Sequence, residues 1–326
     1  MQKKAIALKK RIAWIDVAKG LAILLVIAGH SLGYNSLICK IIYSFHMPLF
    51  FILSGYNLKP AENLSDLSQR TKKDFKHLVV PTVIILAITG ILNVLLGYSS
   101  PMKELGDFAC KIFWANGSSV KDGMPAMGLS WFLISLFFAK LILRLLSILF
   151  KDGFELIGSM LGFAGIALVK RLIILPFGCN LALISTMFVA LGIIARKTSS
   201  FLSRYRTILF VMCIFFATFI IDRYDIFSIA AYSFNLPTIM GTFASTFSVC
   251  VLCRILSSNR MFKKTLSSIG ANTMPIFFVH CFDSYFSFLY SFGNRYIFTI
   301  LRIFWVLLFA WVLISVPKWI KKYSWR

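Results

Sequence analysis

Long apolar runs, separated by short polar segments, cover most of this 326-residue chain. Each run is roughly 15 to 25 residues long, about the length that an α-helix needs to cross a hydrocarbon core of ~30 Å. The runs are continuously apolar, which favours helices, whose backbone groups are satisfied internally. The pattern predicts ten transmembrane helices, at about 14–33, 41–58, 78–97, 127–150, 154–169, 181–196, 207–221, 236–256, 269–289 and 297–316. The fifth, sixth and seventh runs are short, so a count of eight or nine stays open.

The composition is that of a membrane protein. Hydrophobic residues make up 59% of the chain and charged residues only 14%, and the mean hydropathy is +0.81. We therefore expect an all-α, polytopic membrane helical bundle that forms one integral-membrane domain over residues 1–326, with no appended soluble domain. The longest predicted outside loop, 98–126, is rich in turn-forming residues and is expected to be a mobile cover.

The net charge of +23 comes from basic residues that alternate from loop to loop. Twenty-four of the 35 lie in the two termini and the even-numbered loops with their helix flanks, eight lie in the odd-numbered loops, and Lys19, Lys140 and Arg302 lie within predicted spans. The N-terminal group is Lys3, Lys4, Lys9, Lys10 and Arg11. Because cytoplasmic loops carry an excess of lysine and arginine, both termini are predicted to be cytoplasmic. This topology, with attraction to anionic membrane lipid, explains the charge better than nucleic-acid binding, so no nucleic-acid partner is expected.

The first predicted helix carries Asp16 and Lys19 near one end and His30 at the other. Eleven positions separate Lys19 from His30, about 20° from three full turns, so the two side chains point the same way about 16 Å apart along the axis. Asp16 roughly shares this face and is the expected partner of Lys19, although a simple interfacial ion pair stays open. Asp16 lies about 21 Å from His30 along the axis, so the group that orients the imidazole must come from another helix.

Three of the four histidines, His30, His46 and His280, fall within predicted spans. Ionisable side chains at membrane depth are costly and usually face a bundle interior or a wet cavity. Three together indicate a site, whereas one alone favours packing at a helix interface. For His280, three residues before Asp283, interface packing stays the favoured role, and substrate binding is its candidate functional role.

The seven cysteines are an odd number without a disulfide framework. The Cys250–Cys253 spacing lies in an apolar run without nearby ligands, which favours helix packing over zinc, and no metal site is expected.

At its polar intramembrane positions the chain resembles the integral-membrane acyltransferases of acyltransferase family 3, in particular the fucose 4-O-acetylase-like branch. The resemblance covers nearly the whole chain and rests on four motifs in the family's order. They are a basic residue, ten residues and a histidine (Lys19 to His30), FHMPLFFxLSG (45–55), Trp-Phe-Leu (131–133), and an iGxxTxxIFxxH-like run (Ile269 to His280).

The resemblance implies an O-acyltransferase, most simply an O-acetyltransferase, in the bacterial inner or plasma membrane. Acyl-CoA, expected to be acetyl-CoA, would be the donor substrate, with no resident cofactor. The acceptor would be a sugar hydroxyl of a cell-surface polysaccharide or of its lipid-linked precursor. Which sugar, which hydroxyl and which side of the membrane stay open.

Transfer to a hydroxyl needs a base, and histidine titrates near neutrality, so His30 is the candidate base. His46 is the next candidate, as a second imidazole or an oxyanion donor. Lys19, with Asp16, would hold the donor or order the cytoplasmic mouth. For Trp131, core packing and a stacking surface for sugar or adenine are equally favoured roles.

The second loop could bind the donor's phosphates through Lys72, Lys73 and Lys76, although topology explains the same charges equally well. The family's arginine pair before a proline is absent, since KKDFKHLVVP has only lysines and His77 ahead of Pro81, and lysine lacks the bidentate fork. The group Arg260, Lys263 and Lys264 is the alternative donor site.

Two competing functions stay open. One is a carrier or flippase for a lipid-linked sugar, for which related halves are expected but are not found in the sequence. The other is a non-catalytic partner in a polysaccharide-export complex.

Overall fold

A computed structural model describes residues 12–33, 36–119, 124–171, 173–225 and 227–323, with 317–323 described by their backbone only. Several basic residues used to predict the topology lie outside the described residues or side chains: Lys3, Lys4, Lys9, Lys10, Arg11, Lys121, Lys318, Lys321, Lys322 and Arg326.

Helices form nearly all of the described chain, in which the only β pairing is an isolated bridge between Ser228 and Ser233. The helices are α1 (Ala13–Gly29), α2 (Leu37–Tyr43), α3 (His46–Tyr56), α4 (Leu64–Asp74), α5 (Val80–Leu95), α6 (Pro101–Trp114), α7 (Trp131–Leu149), α8 (Phe154–Lys170), α9 (Cys179–Lys197), α10 (Ser199–Arg204), α11 (Arg206–Arg223), α12 (Leu236–Leu256), α13 (Arg260–Ala271), α14 (Thr273–His280) and α15 (Arg295–Tyr323). A π-helical turn, Phe75–Val79, joins α4 to α5, and 3-10 turns lie at Gly128–Ser130, Pro176–Gly178 and Asp283–Leu289. The predicted helical membrane protein is confirmed.

Six helical segments of the described chain are long and apolar enough to cross a membrane. They are Leu37–Tyr56, Leu64–Leu95, Gly128–Leu149, Pro176–Lys197, Leu236–Leu256 and Arg295–Val316, which match the second, third, fourth, sixth, eighth and tenth predicted spans. The other four predicted spans are also helical, but α1 and α8 have only 17 residues and α11 has charged residues at both ends. The ninth is broken at Asn272, between α13 and α14. The count of ten therefore stays a prediction.

The long loop predicted at 98–126 is rich in turn-forming residues, and the expectation that it is a mobile cover stays a prediction. It contains a helix, α6, over residues 101–114. Its start follows ordinary capping chemistry, because the side chain of Ser100 accepts a hydrogen bond from the backbone of Lys103 and Pro101 occupies the first turn. Glu104 is buried and accepts a hydrogen bond from Asn93 Nδ2 at 3.0 Å, which ties α6 to α5.

Close helix contacts in the core depend on glycines from the sequence motifs. A Cβ at Gly55 of α3 would collide with the backbone of Val189 in α9, and a Cβ at Gly192 would collide with the carbonyl of Ile52. In the same way, a Cβ at Gly270 of α13 would overlap the carbonyl of Asp16 in α1. Small residues allow such close approach between membrane helices. These contacts fix α1 and α3, the two helices that carry His30 and His46.

Candidate active site

The first helix ends at Gly29, and its C-cap is His30, an exposed residue. Its Nδ1 lies 3.3 Å from the hydroxyl of Tyr43, the last residue of α2. The chain then turns into α3, which begins at His46, and the rings of Tyr43 and His46 are 4.6 Å apart between centroids. The group that contacts the His30 imidazole, the Tyr43 hydroxyl, therefore belongs to another helix. This was expected, because Asp16 lies too far from His30 along α1 to orient its ring.

A cavity of about 460 Å³ opens beside these residues, and His30, Tyr43, His46 and Trp131 all line it. Three of the predicted site residues, on three different helices, thus share one cavity wall. Its volume lies within the range of about 300–1,000 Å³ that is usual for small-molecule sites. We call it the histidine cavity.

Two loop segments complete the wall of the histidine cavity. One is Gly117 and Ser118, which follow α6, and the other belongs to residues 227–233, which precede α12. The hydroxyl of Tyr232 donates to Asn116 Oδ1 at 3.0 Å and so joins the two segments. Part of the predicted cover therefore lies on the cavity.

His46 is buried, and its hydrogen bond defines its tautomer. Its Nδ1 lies 2.9 Å from the backbone carbonyl of Ile42. A carbonyl only accepts, so Nδ1 carries the hydrogen and Nε2 of the neutral ring has a lone pair. This favours the role of second imidazole over that of oxyanion donor, because a neutral ring with this tautomer has no N–H left to donate.

A buried ionic network lies next to His30, and its residues His280, Asp283 and Arg302 do not line the histidine cavity. His280 Nδ1 is 2.8 Å from Asp283 Oδ2, and Asp283 receives two hydrogen bonds from Arg302, from Nε and Nη2, each at 2.8 Å. Arg302 Nη1 also donates to the backbone carbonyl of His30 at 2.9 Å. The hydroxyl of Tyr290 donates to the backbone carbonyl of Asp283 at 2.5 Å. Because His280 itself does not line the histidine cavity, this placement gives no support to its predicted contact with substrate.

The chain matches the family model described as an acyltransferase domain over residues 12–317. The chain belongs to the acyltransferase 3 family. A nodulation protein, NolL, of Mesorhizobium japonicum is 29% identical to it over an alignment of 142 positions, which covers 40% of this chain. The chain matches 35% of the length of that relative. No solved structure matches the chain.

The acyltransferase 3 motifs divide into residues that line the histidine cavity and residues that pack helices. His30, His46 and Trp131 line the cavity, whereas Gly55 and Gly270 make the close helix contacts. Trp131 lines the cavity and also packs between helices, since it is only 5% exposed. Its ring lies 6.2 Å from that of Phe51, and 6.4 Å from that of Phe132, between centroids.

Lys19 of the first acyltransferase 3 motif lies near the opposite end of α1, about 16 Å from His30 along the helix. Asp16 is one turn nearer the N-terminus, and both residues are half-buried. Neither lines the histidine cavity. The structure therefore separates these two predicted residues from the three that it brings together.

Lys72, Lys73 and Lys76 are exposed and also lie away from the histidine cavity. The neighbouring Asp74 is instead tied to α7, where Lys140 Nζ lies 2.6 Å from Oδ1 and Arg144 Nη1 lies 2.5 Å from Oδ2. Within this acyltransferase 3 domain, Arg144 of α7 thus lies beside the second loop. It binds a carboxylate of the protein.

A second cavity, of about 290 Å³, lies near the end of the bundle that contains the start of α1. Trp14, Tyr56, Arg206 and Arg254 are among its lining residues, and most of the others are apolar. The guanidinium of Arg254 lies 4.7 Å from the centroid of the Trp14 ring. No carboxylate pairs with either arginine among the described residues. We call it the arginine cavity.

Two residues of the site, Tyr43 and Arg302, were missed as candidates in the sequence. Arg302 was counted only as a basic residue within a span, yet a charged side chain at membrane depth should have prompted a search for its partner, Asp283. Nothing in the local sequence distinguishes Tyr43, whose role depends on the turn between α1 and α2.

Proposed function

We propose that this protein is a membrane-bound O-acyltransferase that moves an acyl group, most simply acetyl, from acyl-CoA to a sugar hydroxyl. The acceptor is a cell-surface polysaccharide or its lipid-linked precursor, as in the fucose 4-O-acetylase-like branch. The protein acts in the bacterial inner or plasma membrane with both termini cytoplasmic. The observation that carries the proposal is the shared cavity of His30 and His46 within a chain of the acyltransferase 3 family.

In this reaction His30 takes the proton of the acceptor hydroxyl as its oxygen attacks the thioester carbonyl. The carbon–sulfur bond then breaks, and the thiolate of coenzyme A takes up the proton. The exposed imidazole of His30 at the cavity wall suits the role of base. His46 offers a second lone pair to an acceptor hydroxyl, and Trp131 offers an apolar ring against which the sugar stacks.

The donor would approach from the cytoplasmic end, where Lys72, Lys73 and Lys76 attract its phosphates. Their exposure suits a role in binding a charged, water-soluble substrate. Lys19 and Asp16 lie deeper on the same side. They would order the entrance through which the acyl-bearing arm of the donor reaches the site.

The test uses the full chain, purified in detergent, with radiolabelled acetyl-CoA and a panel of bacterial glycans. We expect label to appear in at least one glycan as an alkali-labile ester. Protein that moves a lipid-linked glycan between the leaflets of a vesicle, yet transfers no label to any glycan, would contradict the proposal and indicate a carrier.

A further inference from the structure

The buried network fixes the tautomer of His280. Arg302 forms a two-point ion pair with Asp283, so this carboxylate is ionised and can only accept hydrogen bonds. The 2.8 Å contact with His280 Nδ1 therefore requires the hydrogen on Nδ1. The other ring nitrogen, Nε2, has a lone pair.

That lone pair is buried and unused. His280 is 1% exposed, and its Nε2 has no hydrogen-bond partner among the described residues. Buried polar atoms without a partner are uncommon in native proteins, and each one calls for an explanation. An aspartate that orients an imidazole and stabilises its protonated form is the arrangement by which many enzymes prepare a histidine to take up a proton.

The neighbour of His280 is the candidate base. The rings of His30 and His280 are 5.6 Å apart between centroids and tilted by 42°. Nδ1 of His30 faces the hydroxyl of Tyr43, and its other nitrogen, Nε2, remains for a second contact. His30 lines the histidine cavity, whereas His280 does not, so a substrate in this cavity meets His30 and not His280.

We propose that His280 accepts a proton from His30 during acyl transfer and holds His30 in the tautomer that the reaction needs. This inference rests on the proposed function. When the acceptor binds, its hydroxyl replaces that of Tyr43 at Nδ1 of His30, and the His30 ring moves within hydrogen-bond reach of His280. As the acceptor hydroxyl gives its proton to Nδ1 of His30, Nε2 of His30 gives its proton to Nε2 of His280. The positive charge then lies on His280, beside Asp283, and the reverse transfer supplies the proton that the coenzyme A thiolate takes up. His280 touches no substrate and is a positioning residue.

The arrangement of charges favours this direction of transfer. The carboxylate of Asp283 contacts His280, while the backbone carbonyl of His30 contacts the guanidinium of Arg302. Of the two rings, only that of His280 has a carboxylate against it, and a carboxylate interacts favourably with a positive charge.

The deciding variant is His280→Gln. A glutamine carbonyl can accept a hydrogen bond from His30, but it cannot take a proton. We expect the rate of a single turnover to fall about 10²-fold, with the KM values of donor and acceptor unchanged within about twofold. His77→Gln, at an exposed histidine outside the network, is the matched control and should keep the wild-type rate.

A second readout separates proton transfer from simple support of the fold. In mixtures of H₂O and D₂O, two protons moving together give a curved dependence of the rate on deuterium fraction, whereas one proton gives a straight line. We expect a curve for the wild type and a line for His280→Gln.

Three results would overturn the proposal. They are a wild-type rate in folded His280→Gln, an equal curvature in both proteins, or a loss that appears only as lower thermal stability. If His280→Gln does not fold, the wild type is measured alone. A straight-line dependence of its rate on the deuterium fraction would then also overturn the proposal. Wild-type protein without any acyl transfer would contradict the proposed function itself, whereas active wild type with an unaffected variant contradicts only the relay.

Discussion

Arg302 of α15 holds the end of α1, because its Nη1 donates a hydrogen bond of 2.9 Å to the backbone carbonyl of His30. The last carbonyls of a helix have no partner within that helix, so an arginine is well placed to satisfy one of them. The same guanidinium donates to Ser31 Oγ at 3.2 Å and pairs with Asp283. One side chain thus links three parts of the candidate site.

Removing Arg302 should damage the fold as well as the reaction. Arg302→Ala leaves Asp283 buried without its charge partner, which typically costs about 3–5 kcal/mol in the free energy of unfolding. Arg302→Lys keeps the charge but loses the two-point geometry, so we expect a milder loss of stability with a clear loss of acyl transfer. Thermal unfolding in detergent, together with the rate of label transfer, measures both effects.

The control for this prediction is Arg223→Lys, at an exposed arginine whose guanidinium lies over the ring of Phe219. It should change the free energy of unfolding by no more than about 0.5 kcal/mol. An Arg302→Ala protein as stable as this control would show that the network does not support the fold.

Tyr43→Phe should slow the reaction without unfolding the protein. The change removes the hydroxyl 3.3 Å from His30 Nδ1 and keeps the ring that packs against His46. A hydrogen bond of this kind contributes about 1 kcal/mol, so a several-fold loss of kcat is expected. Tyr296→Phe, at an exposed position at the start of α15, is the comparison. Equal kcat values for the two variants would remove Tyr43 from the site.

The sequence was sufficient to predict most of the helices and part of the site. Apolar runs and the cost of polar groups in lipid are local properties, so they located the six long segments and selected His30 and His46. Trp131, which shares a cavity with these two histidines, was selected by the family resemblance. The i, i+3 spacing also placed His280 beside Asp283 correctly.

The contacts between distant parts of the chain could not be predicted in this way. Arg302 and His30 are 272 positions apart, and Tyr232 and Asn116 are 116 apart. Helical periodicity describes the face of one helix and says nothing about which helix lies opposite. The alignment of Lys19 with His30 had the same limit, because a shared face over about 16 Å does not place both residues in one cavity.

Gly270→Ala should destabilise the protein through the contact between α1 and α13. The new Cβ would overlap the carbonyl of Asp16, so the two helices must move apart. Such overpacking typically costs about 1–3 kcal/mol, and a lower unfolding temperature is expected.

Gly106→Ala in α6 is the matched control, because a Cβ there meets nothing within 4 Å. Alanine in a helix interior is more favourable than glycine by about 0.5–1 kcal/mol, so this variant should unfold at the wild-type temperature or above. A Gly270→Ala protein that unfolds no earlier than Gly106→Ala would contradict the close packing.

The site of the donor can be found by comparing two sets of variants. If Lys72, Lys73 and Lys76 bind its phosphates, replacing all three with glutamine should raise the donor KM about tenfold and weaken its dependence on salt, because exposed ion pairs contribute up to about 1 kcal/mol each. The acceptor KM should not change. Reporter fusions at both termini would verify that the variant inserts in the wild-type orientation.

The comparison set is Arg206→Gln with Arg254→Gln, in the arginine cavity. We expect this pair to leave the donor KM close to the wild-type value. A donor KM that rises with the arginine pair and not with the lysines would move the donor to the arginine cavity.

The role of His30 as the base is tested most directly by His30→Ala, measured beside His77→Ala as label transfer from radiolabelled acetyl-CoA to glycan. Both proteins should fold and insert, since His30 is exposed at the end of its helix and His77 is exposed outside the site. Loss of a positioned base costs about 10²- to 10⁴-fold, so we predict at least a hundredfold lower rate for His30→Ala and a wild-type rate for His77→Ala. Folded His30→Ala protein that transfers label within a few-fold of the wild-type rate would contradict the assignment of His30.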